Sequence, residues 1–199
     1  MQYISVIAVI IQATAIVVTA YFASRSLRAW RAQLVGKRRF EIAEDTLVAA
    51  YKARDAIVWI RNPAVWSNEK IDRPAELGET EGQKQMRDTY FVHLKRIKDT
   101  ADEFSQLGKM RQLCKVFFGD EAASAIDVFF EVRNDIALAA NMLIDQVGEP
   151  IPKESREFFA ELKMKIWGTG GPKDELRPKI DAALETLSRI CRQHLSEAR

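Results

Sequence analysis

The sequence contains little of what metal and catalytic sites are usually built from. In 199 residues there are two histidines and two cysteines. No Glu-x-x-His pair accompanies the acidic residues, and neither His93 nor His194 stands at ligand spacing from other donors, so no metal site is predicted. Cys114 forms no recognisable thiol–base motif with either histidine. The sequence therefore predicts no catalytic residue, no metal and no cofactor.

Strand patterns and phosphate-binding loops are also missing. No long segment alternates apolar and polar residues, whereas helical periodicity recurs along the chain. The glycine-rich segment at residues 168–172, GTGGP, lacks the GxxxxGK[ST] spacing and follows a predicted helix, so it predicts a tight connection between helices. The fold class is therefore expected to be all-α: an antiparallel bundle of about four main helices with short ones besides.

Charge is absent from the first 23 residues. The segment from Tyr3 to Ala23 is uncharged, and a helix needs roughly 20 apolar residues to cross the hydrocarbon core of a bilayer. Tyr3 and Tyr21 stand near its two ends, where aromatic side chains favour the headgroup level. A cleaved signal peptide is the alternative, but no basic residue precedes this run, and the run exceeds the usual apolar core of such peptides. The sequence predicts a transmembrane helix over residues 1–23.

Basic residues follow this segment and set its expected orientation. The positive-inside rule places them in the cytoplasm and the N-terminus outside, which predicts a single-pass protein of the inner (plasma) membrane. A basic juxtamembrane segment over residues 24–39 is expected to contact anionic lipid, and no nucleic-acid partner is expected. In a reducing cytoplasm Cys114 and Cys191 are most simply two buried free thiols, although their spacing leaves a disulfide possible. The basic residues are Arg25, Arg28, Arg31, Lys37, Arg38 and Arg39.

One side of the predicted span carries small or polar side chains at alternating spacings of three and four. Gln12 lies near the middle of the membrane, where an amide prefers a hydrogen-bonding partner to lipid. This face is either a self-association seam with Gln12 bonding across it, or a chance pattern that a single span tolerates. Its residues are Ser5, Ala8, Gln12, Ala15 and Thr19.

Residues 40–199 are expected to form the cytoplasmic bundle. The basic segment and the first core helix can be one helix or two joined near Gly36. A long loop is predicted at residues 62–83, whose prolines and glycines favour disorder over a partner-binding segment. Gly108 is expected to interrupt the helix that follows the loop, and Asp174 is expected to open the last helix.

Arg54 is predicted to fall on the apolar side of its helix, between Tyr51 and Ile57. A lone buried cation is costly, so Arg54 is expected to form an ion pair with an acid on a neighbouring helix. Asp55 is expected to face another direction. The alternative is a cleft arginine that receives an anionic ligand.

Two segments resemble a group of uncharacterised bacterial single-span membrane proteins. The first runs from Trp30 to Pro63 and reads WRAQLVGKRRFEIAEDTLVAAYKARDAIVWIRNP, and the second, IDAALETLSRICRQHL, runs from Ile180 to Leu195. The resemblance implies a short N-terminal span before a helical cytoplasmic domain, and it implies no activity or cofactor.

Three functions are compatible with these observations. The first is a non-enzymatic scaffold that is tethered to the membrane and engages a protein partner or its own copies. The second is an effector that oligomerises through its span and perturbs the bilayer. The third, which has least support, is a membrane-bound enzyme that acts on lipid or phosphate through Arg54 and loop groups.

Overall fold

The all-α prediction is confirmed. A computed structural model describes residues 2–66, 69, 73–168, 171 and 174–196; for residues 2–11, 13 and 196 it describes the backbone alone. No strand occurs in these residues. A 3₁₀ turn at Lys153–Ser155 precedes the fifth of six α-helices. The helices are α1 Gln2–Ile60, α2 Glu81–Asp99, α3 Ala101–Phe118, α4 Asp120–Asp145, α5 Arg156–Ile166 and α6 Leu176–Ser196.

The fourth helix is the centre of the bundle. It packs against α2, α3, α5 and α6, while α1 packs mainly against α3 and α6. Apolar residues recur along α4 at helical spacing and are almost completely buried, which explains why this helix occupies the core. Among them Phe129 and Ile136 have no exposed surface. Burial of this apolar surface is the main source of the stability of the fold.

The first helix is a single helix of 59 residues, about 88 Å long at a rise of about 1.5 Å per residue. It passes through Gly36 without a break, which decides between the one-helix and two-helix alternatives. Its first buried side chain is Ile42, and every described side chain from Gln12 to Arg39 is exposed. The N-terminal two thirds of α1 therefore projects from the bundle.

The membrane prediction falls partly outside what the structure describes. Within the described part of the chain, no helix is long and apolar enough to cross a membrane. The side chains of residues 2–11 and 13, half of the predicted span, are not among those described. Ser5 and Ala8 belong to this part, whereas Gln12, Ala15 and Thr19 are described and exposed.

Two helix boundaries differ from the predictions. Gly108 does not interrupt a helix: it lies inside α3, where its backbone comes close to the Phe130 ring. The break lies instead at Thr100, which stands between α2 and α3 and whose backbone N–H and hydroxyl both donate to the carbonyl oxygen of Arg96, at 3.0 and 2.8 Å. In the sequence a glycine is a stronger signal for a helix break than a threonine, and at this position that signal is misleading.

Both cysteines are free and completely buried, as the simpler interpretation predicts. The Cys114 sulfur lies 3.2 Å from the Thr46 hydroxyl, and burial raises the pKa of the Cys114 thiol. Burial also raises the pKa of Cys191 to about 12, with a further contribution from Cys114. Since the thiolate is the reactive form, neither cysteine is expected to react in the folded protein.

We expect Phe129→Ala to lower the free energy of unfolding by about 3–5 kcal/mol, because it leaves a cavity in the centre of the core. Phe158→Ala removes the same atoms from a side chain that is 43% exposed, and it should cost far less. Urea unfolding followed by circular dichroism measures both. Equal losses in the two variants would contradict the central position of α4.

Candidate functional site

A buried ion pair joins the end of α1 to the start of α6. The Arg61 and Asp174 side chains are 5% and 3% exposed, and the Arg61 Nη2 lies 2.8 Å from the Asp174 Oδ1. Burial alone would raise the pKa of Asp174, but hydrogen bonds and charge from Arg61 outweigh it and hold that pKa below its usual value. The same carboxylate accepts from the backbone N–H groups of Leu176 and Arg177, so it caps α6 as predicted.

The remaining donors of Arg61 satisfy the end of α5. The Arg61 Nε donates to the carbonyl oxygen of Lys165 at 2.9 Å, and its Nη2 donates to that of Met164 at 3.0 Å. The backbone N–H of Gly168 in turn donates to the Arg61 carbonyl oxygen at 2.9 Å. The last carbonyls of a helix have no partner within it, so a cation placed there is stabilising. Arg61 therefore connects the ends of three helices.

Two side chains of α2 cap the end of α1. The Arg96 guanidinium donates to the carbonyl oxygens of Asn62 and Ala64, each at 2.6 Å, and pairs with both carboxylate oxygens of Glu69 at 2.7 Å. The Nδ1 of His93 lies 2.6 Å from the Ile60 carbonyl oxygen. Because a carbonyl oxygen only accepts, this nitrogen carries the proton. Both side chains are almost completely buried.

Part of the long loop is held against α2 by a second ionic cluster. Arg73 pairs with Glu79 at 2.7 Å and with Asp88 at 3.0 Å. Arg87 pairs with Glu79 as well and donates to the Val147 carbonyl oxygen at the end of α4. Burial would raise the pKa of Glu79, but its arginine partners outweigh that effect and lower it. The described residues 73–80 thus include two side chains that pair with α2, while disorder of the loop stays a prediction. Residues 67–68 and 70–72 of the loop lie outside the described part.

A cleft of about 520 Å³ opens beside this end of α1. It lies between the last turns of α1 and the first turns of α6, with Gly168 on its wall. Three arginines and three aspartates line it, so its formal charge is balanced: Arg54, Arg61, Arg177, Asp55, Asp174 and Asp181. Such a balance does not favour an anionic ligand over a zwitterionic or neutral one.

The predicted burial of Arg54 is wrong. Its side chain is 37% exposed, and its partner is Asp55 on the same helix, with the Arg54 Nη2 2.7 Å from the Asp55 Oδ1. The buried side of α1 is formed largely by alanines, including Ala49 and Ala53, which turns Arg54 toward the cleft and Tyr51 toward solvent. The buried ion pair expected at Arg54 lies two helical turns further on, at Arg61. The alternative role of Arg54, as an anion contact in a cleft, stays a prediction.

The basic juxtamembrane residues are placed on the projecting part of α1, and we call residues 24–39 the stalk. All six basic side chains of the stalk are exposed. Lys37 and Arg38 each approach Glu41, at 4.0 and 3.3 Å. Toward the N-terminus the Thr19 hydroxyl donates to the Ala15 carbonyl oxygen at 2.8 Å. The structure therefore places the stalk and the described residues of the predicted span on one continuous helix.

Comparisons with known proteins add no family: no family model, curated protein or solved structure matches the chain. The resemblance of residues 30–63 and 180–195 to bacterial single-span proteins stays a prediction. Among the described residues no group of three or more His, Cys, Asp or Glu side chains is arranged to hold a metal ion. The burial of Arg61 and Arg96 could not be predicted from the sequence, because charge alone does not distinguish them from exposed arginines.

We expect Arg61→Met to lower the free energy of unfolding by about 3–5 kcal/mol, since it leaves the Asp174 carboxylate buried without its partner. The matched change Arg54→Met removes an exposed pair, whose contribution is about 0–1 kcal/mol. Chemical unfolding at pH 7 compares them. If both variants were equally stable, Arg61 would not be the connection described above.

His93 gives the protein a pH dependence. Burial lowers the pKa of His93, against the opposing effect of its hydrogen bond to Ile60 and with a further decrease from Arg96. In the unfolded chain the imidazole takes up a proton near pH 6.5, while the folded protein keeps it neutral, so stability falls as the pH decreases below about 6.5. The lowered carboxylate pKa values of Glu69, Glu79 and Asp174 act only below about pH 4.5.

We expect His93→Gln to flatten the dependence of unfolding free energy on pH between about 7 and 5, because the amide donates to Ile60 without titrating. The slope removed is at most about 1.4 kcal/mol per pH unit. Identical slopes in wild type and His93→Gln would contradict a buried neutral imidazole.

Proposed function

We propose that this chain is a non-enzymatic, membrane-tethered scaffold whose helical bundle is held at a fixed distance from the inner (plasma) membrane. The observation that carries the proposal is the continuity of α1, since one helix contains the uncharged N-terminal segment, the basic stalk and a wall of the core. The uncharged segment from Tyr3 to Ala23 has the length of a span. The basic residues after it favour a cytoplasmic bundle and an external N-terminus.

A continuous helix determines which basic residues reach the membrane. If the hydrocarbon core ends near Ala23, Arg25 and Arg28 lie about 3 and 8 Å beyond it along an untilted helix, within the headgroup layer. Arg31 lies about 12 Å beyond and reaches headgroups with its long side chain. Lys37, by the same rise, lies about 21 Å beyond, further than a Debye length from the headgroups. We therefore assign anionic-lipid contact to the first three arginines, and not to Lys37, Arg38 and Arg39.

The described candidates for chemistry all have structural roles, which supports a scaffold rather than an enzyme. The imidazole of His93 caps α1, and both thiols are buried with raised pKa values. Each nitrogen of the Arg61 guanidinium donates to a carbonyl oxygen of α5 or to the Asp174 carboxylate. The cleft beside Arg54 is the one feature that favours the enzymatic alternative, and its balanced charge disfavours phosphate as the ligand. A scaffold acts through surfaces, so its partner is a protein or a second copy.

Membrane extraction tests the proposal. We expect the full-length protein to stay in the pellet when bacterial membranes are washed with alkaline carbonate, as integral proteins do. Ile7→Arg/Ile11→Arg should move it to the supernatant, because each arginine costs about 2.5–3.5 kcal/mol near the centre of a span. Ile7→Leu/Ile11→Leu is the matched control and should stay in the pellet. Release of the wild type by carbonate would contradict the anchor and with it the proposed tether.

A further inference from the structure

The stalk is exposed on every side, yet its charges are not spread around it. At about 100° per residue, the positions of a helix can be compared with the direction in which the bundle packs against α1. That direction is given by the buried residues from Ile42 to Ile60. All five arginines of the stalk fall within about 80° of it. These are Arg25, Arg28, Arg31, Arg38 and Arg39.

The opposite side of the stalk carries almost no charge. It is formed by Ser26, Ala29, Trp30, Gln33, Leu34 and Gly36, which we call the uncharged face. Two of its side chains are large and apolar, and Trp30 and Leu34 are 55% and 48% exposed. The one charge on this side is Lys37, at the end nearest the bundle, where it approaches Glu41. An apolar side chain of this size that stands in water favours a partner surface.

The uncharged face continues the face predicted on the span. Gln12, Ala15 and Thr19 lie on the same side of the helix, within about 50° of the middle of the uncharged face. The distance from Gln12 to Gly36 is about 36 Å along the helix. A partner for the whole surface must therefore be a helix that crosses the membrane and continues into the cytoplasm beside the stalk.

We infer that this partner is a second copy of the chain, paired in parallel through the uncharged face; the inference rests on the proposed membrane tether. A second copy has the required length and enters the membrane in the same orientation, so a two-fold axis along the helices brings the same face of each together. The bundles then lie on opposite outer sides of the paired helices and do not collide. The arginines also point outward, so like charges stay apart, and Trp30 supplies a buried aromatic contact.

Lipid is a weaker candidate for the same face. Trp30 and Gly36 lie about 10 and 20 Å beyond Ala23 along the helix, so most of the face is beyond the headgroup layer. The membrane covers the span but leaves the stalk exposed, whereas a parallel copy covers both. The structure therefore assigns the stalk to contact between copies.

Disulfide cross-linking of variants that each carry one introduced cysteine, in native membranes, tests this contact. Ser26→Cys and Gln33→Cys lie on the uncharged face, and Ser24→Cys and Val35→Cys are their matched controls on the bundle side. All four positions are exposed. The two natural cysteines are buried, so they are expected not to cross-link, and the wild type serves as the negative control. Mild oxidation should convert the first two variants to covalent dimers at least tenfold more than the controls. Trp30→Lys added to Ser26→Cys should reduce its dimer severalfold, whereas Val35→Lys should not.

The outcomes separate the two proposals. The same membranes are washed with alkaline carbonate, and release of the protein would contradict the tether itself. Retention in the pellet with equal cross-linking at all four positions, or with none at the uncharged face, would overturn the second copy as partner while the tether stands. Retention with dimers confined to Ser26→Cys and Gln33→Cys supports both.

Discussion

The structure depends on how the buried end of α1 is satisfied. A helix end leaves carbonyl oxygens without partners, and burying them unpaired is costly. Here the carbonyls from Trp59 to Asn62 accept from Arg96, His93, Gly168 and the backbone, so none of them is left to water. Arg61 extends the same solution to α5 and α6, because one guanidinium bonds two carbonyls of α5 and the capping carboxylate of α6. Four helices are thereby fixed to one another at the end of the bundle furthest from the stalk.

This arrangement holds the packed part of α1 rigidly in the bundle. From Ile42 onward the helix is held by alanine-rich packing against α3 and α6, and its end is held by charged hydrogen bonds that tolerate little displacement. The same helix leaves the bundle near Phe40 without a hinge at Gly36. The proposed tether and the proposed contact between copies both depend on this continuity of α1.

Much of the architecture was predictable from the sequence, and the failures have identifiable physical causes. Helical periodicity predicted the all-α fold, and Asp174 was recognisable as a cap because its short carboxylate bonds the first N–H groups of α6. Arg54 is not buried as predicted, because the buried side of α1 is formed largely by alanines and less by the large apolar residues on either side of Arg54. Alanines allow close helix packing. The loop after Pro63 has a composition that favours disorder, but Glu79 pairs with Arg73 and Arg87, six and eight residues away, and Glu69 pairs with Arg96, 27 residues away. Composition does not distinguish charges that form such pairs from charges that stay in solvent.

The most direct test of the account is the rigidity of α1 across the boundary between stalk and bundle. Spin labels at Ser26→Cys and Tyr51→Cys, both exposed positions, measure it by pulsed electron resonance in membranes diluted with unlabelled protein. A continuous helix predicts a narrow distance distribution centred near 38 Å, since 25 residues separate the labels at about 1.5 Å each. A broad distribution, or one centred at much shorter distances, would show a hinge near Gly36 and contradict a tether that holds the bundle at a fixed distance from the membrane.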